Sequence, residues 1–498
     1  MELKYREIIL RDKRAQDIAD EIRWYTQQTQ WTLWDAPWEM EAELSQFNPE
    51  AFRSAQAEKL SLPAEEPRRS LELDTRDGTH IGSVVSYFID EAFNWVLAAS
   101  VRPDLRVFCA LGLDICSDCL WGKGLGKQAL SAWIQYHLGQ GISELYLQTW
   151  SGNFRMLRAA EHVGFVLCCR KRGIRQVRGG VYDGLTYHLD LHRFRRYLLE
   201  ENLQDLALSG ETVQAVLAAY DDKPTFYEKY YAHAYLGTAP DFPICSRSPL
   251  ERLVLLCRKL TDVERHFQVR CIPREIYLST ISDLSLRLEL YQQRTKRLGL
   301  SKDDVIWFRH LVHGHMFKLH SLQFQLFHMV YLDAEGCGED YMTFDPAQKV
   351  LLPPGTPVLN VHVQKGADLS FEAVEQSFYM ARTFFPRYFP EHGTQAFLCY
   401  SWLLYPGLQD LLCSQSHILQ FARRFQVIGQ ARDSREAIRR IYGKRYPRLA
   451  DYPQGTTLQR KALGHFSLLG EACGIQPFVK LPDPDSSHGE NQADTGTD

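Results

Sequence analysis

The chain has 498 residues, too many for one ordinary core, so two or three domains are expected. An apolar content of 45% with 24% charged residues is that of a soluble globular protein, and a net charge of −4 gives no electrostatic reason to expect nucleic acid or a membrane surface as partner. No apolar run approaches the roughly 20 residues of a spanning helix, Met1-Glu2-Leu3-Lys4 begins no signal peptide, and the scattered cysteines suit reduced thiols in a cytoplasmic protein. In chain order, residues 3–10 alternate as a strand, and Asp12 opens a helix through Ile18, Ile22 and Trp24. Trp31 to Glu39 is dense in aromatics and reads as a loop pinned to the core by its tryptophans. Arg69–Asp74 and His80–Ile89 form a hairpin turning at Arg76-Asp77-Gly78.

Phe108 to Cys116 suits a buried strand. It runs into the glycine-rich turn Trp121-Gly122-Lys123-Gly124-Leu125-Gly126, and a helix pattern follows to Leu138 with Leu130, Ile134 and Leu138 on one face. Strand, glycine turn, helix points unpaired main-chain N–H groups and a helix N-terminus at an anion. Glycines belong there because a Cβ would hold phosphate oxygens off the amides and would block positive φ. A phosphorylated cofactor is therefore expected. The dinucleotide fingerprint fails, because these glycines fall at every second position and the next strand, 142–150, ends in Gln148-Thr149-Trp150 rather than an acidic residue. A P-loop fails because Lys127 is followed by Gln128. Asn153 suits the cap of a following helix, and from Val166 two strands close the domain around a hairpin at Gly179 to Gly184, the first studded with Arg170, Lys171, Arg172, Arg175 and Arg178.

Asn202 to Tyr220 reads as a helix, Pro249 to Leu300 as helical, and Asp303 or Asp304 as the start of another helix that ends at Gly314. Strands are expected at 317–331, 341–352, 358–363, 397–404 and 418–428, with a helix at 370–389. Leu481-Pro482-Asp483 to Asp498 is acidic and lacks aromatics, which predicts disorder. Neither Cys116-x-x-Cys119, which has no second pair, nor the histidines at 310, 313, 315 and 320, which lack the HExxH arrangement, makes a metal site, so no metal is expected.

WGKGLGKQAL, a helix, a strand and then TWSGNFRMLRAAEHVGF resemble the GNAT acyltransferase superfamily, and within it the Rim-type branch that acetylates ribosomal-protein N-termini. The resemblance covers about residues 1–195. It implies an α+β mixed-sheet GNAT fold with acetyl-CoA as co-substrate. Matched position by position, Trp121 takes the Arg/Gln place of the pyrophosphate turn, Gly124 and Gly126 its glycine places, and Asn153 the Asn that opens the next helix; the main chain of 121–126, with Gly122, Lys123 and Leu125, implies the phosphate contacts. Family members splay the third sheet strand from the next, and the pantetheine arm lies in the gap, which assigns backbone groups of Asp114, Ile115 and Cys116 to it. The second half, through HGHMFKLHSLQFQL, VLNVHVQKGADLSFEAVEQSF and CYSWLLYPGLQDLL, resembles an acyltransferase-like module: a helical segment followed by a GNAT-like domain. The phosphate turn is missing from it. The expected organisation is a GNAT domain at 1–197, a helical segment at 198–315, a degenerate GNAT-like domain at 316–475 and a disordered tail at 476–498.

Acyl transfer from a thioester needs a positioned, deprotonated amine and a stabilised oxyanion. The family's general-base Glu aligns with Gln148 and its general-acid Tyr with Ala160, so neither is present. Asp114, Tyr87 and Asp90 are the remaining groups for relaying a proton, with Asp114 and Tyr87 the catalytic candidates. The reading is an N-acetyltransferase acting on a primary amine, on a protein N-terminus or a small molecule. The alternative is a protein that binds acyl-CoA and senses it without turnover.

Overall fold

The structure, a computed structural model, describes residues 1–57, 60, 63, 66–102 and 104–479. The expected disordered tail lies, from residue 480, outside the described residues. The α+β class read from the sequence holds: there are two mixed sheets, with helices between them in the chain. The chain divides into two compact units, Met1–Ala234 with Leu253–Cys271, and Tyr235–Arg252 with Ile272–Asp498. The helical segment expected at 198–315 is thus shared between them. Among the described residues no helix is long and apolar enough to cross a membrane.

In the first unit the strands are β1 (Glu2–Tyr5), β2 (Ile8–Arg11), β3 (Ser70–Thr75), β4 (His80–Ile89), β5 (Trp95–Val96), β6 (Phe108–Ile115), β7 (Leu145–Trp150), β8 (Phe165–Val177) and β9 (Gly180–Leu189). They form one sheet in the order β1-β2-β3-β4-β6-β7-β9-β8, with β5 added on β4. The single strand expected at 3–10 is a hairpin, because Arg6 adopts φ 51° and reverses the chain where no glycine announces it. The first helix, α1 (Asp17–Thr26), begins later than Asp12, whose carboxylate instead takes Arg68. α2 (Pro37–Gln46) and α3 (Pro49–Ala57) follow. The hairpin expected at 179–184 turns earlier, at Arg178-Gly179, both at positive φ; Tyr182 to Gly184 are already strand, and Gly184 lies where a Cβ would meet Ile174 at 2.7 Å.

α4 (Leu125–Gly139) covers one face of the sheet and buries Leu130, Trp133 and Ile134 against Leu111, Leu145 and Leu147. Trp133 is fully enclosed, and its N–H donates to the Val85 carbonyl at 2.9 Å, so a large apolar ring is buried without stranding a polar atom. After α5 (Phe154–Val163) and β9, the expected helix at 202–220 is two, α6 (Leu191–Asp205) and α7 (Gly210–Asp222), parted at Ala207 (φ 49°) and restarted by the Ser209 cap. α8 (Pro224–His233) and the body of α9 (Pro249–Val269) complete the unit. The β1–β2 turn ties the sheet to these helices: Arg6, its side chain only 8% exposed, meets Glu201 at 3.2 Å, Asp205 at 3.1 Å and Glu264 at 3.8 Å. A second buried network joins Arg11 to Asp17 (2.6 Å) and Asp74, and His80 to Glu72 (3.0 Å) and Asp20 (3.2 Å).

After Tyr235–Arg252, the second unit resumes with α10 (Arg274–Thr295), which α9 precedes across the turn at Cys271 (φ 55°). Its strands are β10 (Met316–Leu319), β11 (Leu322–His328), β12 (Thr343–Phe344), β13 (Pro357–His362), β14 (Ala396–Ser401), β15 (Gln426–Ala431) and β16 (Glu471–Pro477), ordered β10-β11-β13-β14-β16-β15-β12. Three strand expectations change. The stretch 317–331 is a hairpin turning at His320 (φ 58°). Residues 341–352 hold only the two-residue β12 and then a helix, Pro346–Leu351, because Asp345 caps it and Pro346 suits its first turn. Residues 418–428 begin as the helix His417–Ala422 and reach β15 only at Gln426. β16 was not expected and lies between β14 and β15. Ser370 caps the helix Phe371–Tyr388, close to the range expected.

Candidate active site

The first sheet opens at its centre. β6 and β7 are parallel and pair through Cys109↔Leu145, Ala110↔Tyr146 and Leu111↔Leu147, and the pairing goes no further. Gly112 to Ile115 and Gln148 to Trp150 then run along the two walls of a cavity of about 1130 Å³. β6 stays paired with β4 on its other side as far as Gly82↔Ile115, so only the edge towards β7 is left open. Of the main-chain groups expected to face this gap, two are engaged. The Ile115 carbonyl accepts from Trp121 Nε1 at 2.8 Å, and the Cys116 amide donates to the Ile81 carbonyl at 2.8 Å. The Cys116 thiol packs among Trp24, Trp31 and Met40, whereas Cys119 is exposed beside Ser117.

The glycine turn forms the next wall. Gly122 (φ 79°) and Gly124 (φ 82°) adopt the left-handed conformation, which a side chain there would strain. Gly126 does not; it lies in the first turn of α4, and a Cβ there would meet Leu113 at an ordinary 3.5 Å. Gly124 occupies the N-cap position without a side chain, so no side-chain oxygen takes the first-turn amides. Gly122, Gly124, Leu125, Gly126 and Lys127 line the cavity, and Arg155 and Arg158 join them. Lys127 Nζ lies 3.1 Å from His162 Nε2; burial and the Lys127 charge hold this imidazole below its ordinary pKa, so it accepts the bond as a neutral ring. Free amides at a helix start beside several cations suit a polyphosphate.

The aromatic stretch is pinned as read from the sequence. The Trp34 carbonyl accepts from Trp150 Nε1 at 2.8 Å and from Asn153 Nδ2 at 3.0 Å. Asn153 Oδ1 meanwhile accepts from Met156 N at 3.1 Å and caps α5. Arg155 lies 4.9 Å from the Trp34 ring centre and 4.5 Å from that of Trp121, Arg175 stacks 4.2 Å over Trp38, and Arg178 donates to the Leu33 carbonyl at 2.6 Å. Arg175 on β8 and Arg178 in the turn after it therefore hold this loop, while Arg170 pairs with Asp183 at 2.5 Å.

The titratable groups separate clearly. Asp90 accepts from the Ala92 and Asn94 amides, which makes it a turn residue. Gln148 donates to the Phe93 carbonyl (2.8 Å) and the Thr186 hydroxyl (3.2 Å), and Ala160 is fully buried in α5. Asp114 and Tyr87 both line the cavity. Burial, then the charge of Asp35, pushes the Asp114 carboxyl well above the usual carboxylate range. Burial likewise raises Tyr87, against a backbone hydrogen bond from Gln148, so its hydroxyl keeps its proton at neutral pH. Asp35, which sequence reasoning left inside an aromatic loop, lines the same cavity; burial, Glu39 and Glu43 raise it to about 6. Its signal was a lone acid amid tryptophans, directly after the residue whose carbonyl is clamped.

Outside the cavity, Asp17, Asp20 and His80 bring ligand-type atoms within 4.8 Å of one another. Asp17 already carries the Arg11 guanidinium at 2.6 and 2.8 Å and His80 binds Glu72 through its other nitrogen, so this is the ion-pair network of β2, β3 and α1.

In β13 and β14 the second unit repeats the parallel pair that stops short, here after Asn360↔Leu398. The turn that follows holds Gly366 at φ 79° but also Asp368, whose carboxylate accepts from the Ser370 amide.

Residues 7–166 match the family described as acetyltransferase (GNAT) domain, 198–314 the N-acyltransferase N-terminal domain and 316–475 the GNAT-like C-terminal domain. No curated protein matches the chain. Among solved structures, an acyltransferase in complex with decanoyl-CoA and teicoplanin is 22% identical, with 56% of this chain and 86% of that one covered and a TM-score of 0.44. An acyltransferase in complex with CoA and 10C-teicoplanin is 18% identical over 69% of this chain and 98% of its own, at a TM-score of 0.45. RimL, a ribosomal L7/L12 alpha-N-protein acetyltransferase in complex with coenzyme A, is 12% identical over 38% of this chain and 97% of its own, at 0.29. The domain match at 7–166 coincides with the interrupted parallel pair, the glycine turn and α4, and the chain is an acyltransferase built on a GNAT acetyltransferase domain and ending in a GNAT-like C-terminal domain.

Proposed function

We propose that the first unit transfers an acetyl group from acetyl-CoA to a primary amine. The observation that carries this reading is the open edge of β6 and β7 leading onto the unpaired first turn of α4. An extended pantetheine arm fits the open edge as an added strand, and the pyrophosphate fits the amides of 122–127 with Lys127 and Arg158 beside them. The thioester then lies near Asp114 and Tyr87. The amine nitrogen attacks the thioester carbon, the C–N bond forms and an oxyanion develops; the C–S bond breaks and the thiolate takes a proton. Asp114 accepts the amine's proton, and Tyr87, still protonated, donates a hydrogen bond to developing charge. Proximity supplies much of the rate in a site without the family's usual Glu and Tyr. The Rim-type likeness favours a protein N-terminus as acceptor, and the cysteines, none of them paired, favour a cytoplasmic setting. We assign turnover to residues 1–197 and leave 316–475 without cofactor.

Calorimetric titration of CoA into the full chain, beside thiol release from acetyl-CoA with an amine panel, tests this. Gly124→Glu puts a carboxylate among the phosphate-facing amides and strains φ 82°, so CoA affinity should fall by at least about 100-fold, roughly 2.7 kcal/mol. Unchanged affinity in a well-folded variant would overturn the cofactor assignment. CoA binding without thiol release for any amine would replace transfer by sensing.

A further inference from the structure

We infer that Asp35 and Asp114 form the acceptor subsite and that the acceptor is a primary ammonium carried on an apolar stem, an inference that rests on the amine-acylation reading above. The two carboxyls reach the cavity from opposite parts of the fold. Asp114 lies on β6 beyond the last residue paired with β7, whereas Asp35 directly follows the Trp34 carbonyl that Trp150 and Asn153 clamp at the end of β7. Both line the one cavity. Among the described residues neither side chain has a hydrogen-bond or ion-pair partner. That is unusual where arginines are near, for Arg155 and Arg175 are turned onto tryptophan faces instead.

Burial disfavours the charge of both carboxyls, and Asp35 further disfavours that of Asp114, so the two do not readily ionise together. The missing partner is a cation. A primary ammonium supplies the charge. Two exposed apolar side chains also line the cavity, Trp95 (65% exposed) and Ile174 (47% exposed), which suits an aliphatic or aromatic stem. The proton balance closes. The bound ammonium passes one proton to the carboxylate of the pair; the neutral amine attacks; the second nitrogen proton leaves with the thiolate as CoA thiol; and the pair returns its extra proton to water.

The test uses the full chain, hexylammonium chloride as probe and 1-hexanol as its uncharged counterpart, both followed by tryptophan fluorescence. Wild type should bind hexylammonium at least about tenfold more tightly than hexanol. Asp35→Asn and Asp114→Asn should each erase most of that preference, and Asp35→Asn should leave CoA affinity within about twofold. No preference in wild type overturns the inference, and that comparison needs no variant; a preference untouched by Asp35→Asn overturns it as well. Failure of wild type to bind CoA sinks the proposed function instead, and the ammonium-to-alcohol ratio still decides this inference separately.

Discussion

Gln148 shows how one residue's neighbours settle its role. It stands where a general-base Glu was expected, yet its amide nitrogen bridges the Phe93 carbonyl and the Thr186 hydroxyl. Gln148→Glu should therefore not create a base. It would face the Phe93 carbonyl with a carboxylate and lose that hydrogen bond, costing about 1–3 kcal/mol, which urea unfolding would register, with acyl transfer no faster than wild type. Gly126 makes the converse point: read as a conformational necessity, it has neither a positive φ nor a crowded Cβ, so its value is the open approach to the helix start. Gly124 needs both. The alternating glycines are legible in sequence, but which of them is strained is a backbone fact.

α5 and the aromatic loop meet at Asn153, and its two side-chain atoms have separable duties. The oxygen caps the helix and the nitrogen holds the Trp34 carbonyl. Asn153→Ala should cost about 1 kcal/mol through the lost cap. Asn153→Asp keeps an accepting oxygen and most of that stability. Both should raise hydrogen exchange across residues 31–36, because both release the loop; exchange unchanged in Asn153→Asp would show that Trp150 and Arg178 hold it without this bond. At the other end of the sheet, β2, β3, β4 and α1 share the His80 network. Burial alone would pull His80 down, but the hydrogen bond and charge of Glu72, with the charge of Asp17, outweigh it and hold the imidazole above its ordinary value. A raised folded pKa adds stability that is complete below the unfolded value and gone once pH has risen through the folded one. Wild type should thus exceed His80→Gln most at and below about pH 6.5, and the gap should narrow as pH climbs past the raised value, by urea unfolding at pH 6 and pH 9. A gap that widens with pH would refute the charged-imidazole account.

For the whole molecule, each sheet contains a parallel strand pair that parts early, yet the two turns that follow differ in charge. The turn after β13 presents Asp368, hydrogen-bonded to the Ser370 amide, and Ser370 also caps the next helix through Ala373. A carboxylate and a filled cap disfavour phosphate there. CoA titration should therefore fit a single site per chain, and Gly124→Glu should abolish binding rather than halve it. The sequence by itself determined the local parts: strand, glycine turn and helix from 108 to 139, the Asn153 cap, and the capped helix at 371–388, because periodicity, positive-φ residues and caps act over a few neighbours. Only the tertiary structure decided that residues 3–10 fold back on themselves, that β16 enters between β14 and β15, and that Asp35 and Asp114 share one cavity. Those outcomes depend on pairing and burial between segments far apart in the chain, where the energy belongs to the contact and neither segment alone records it.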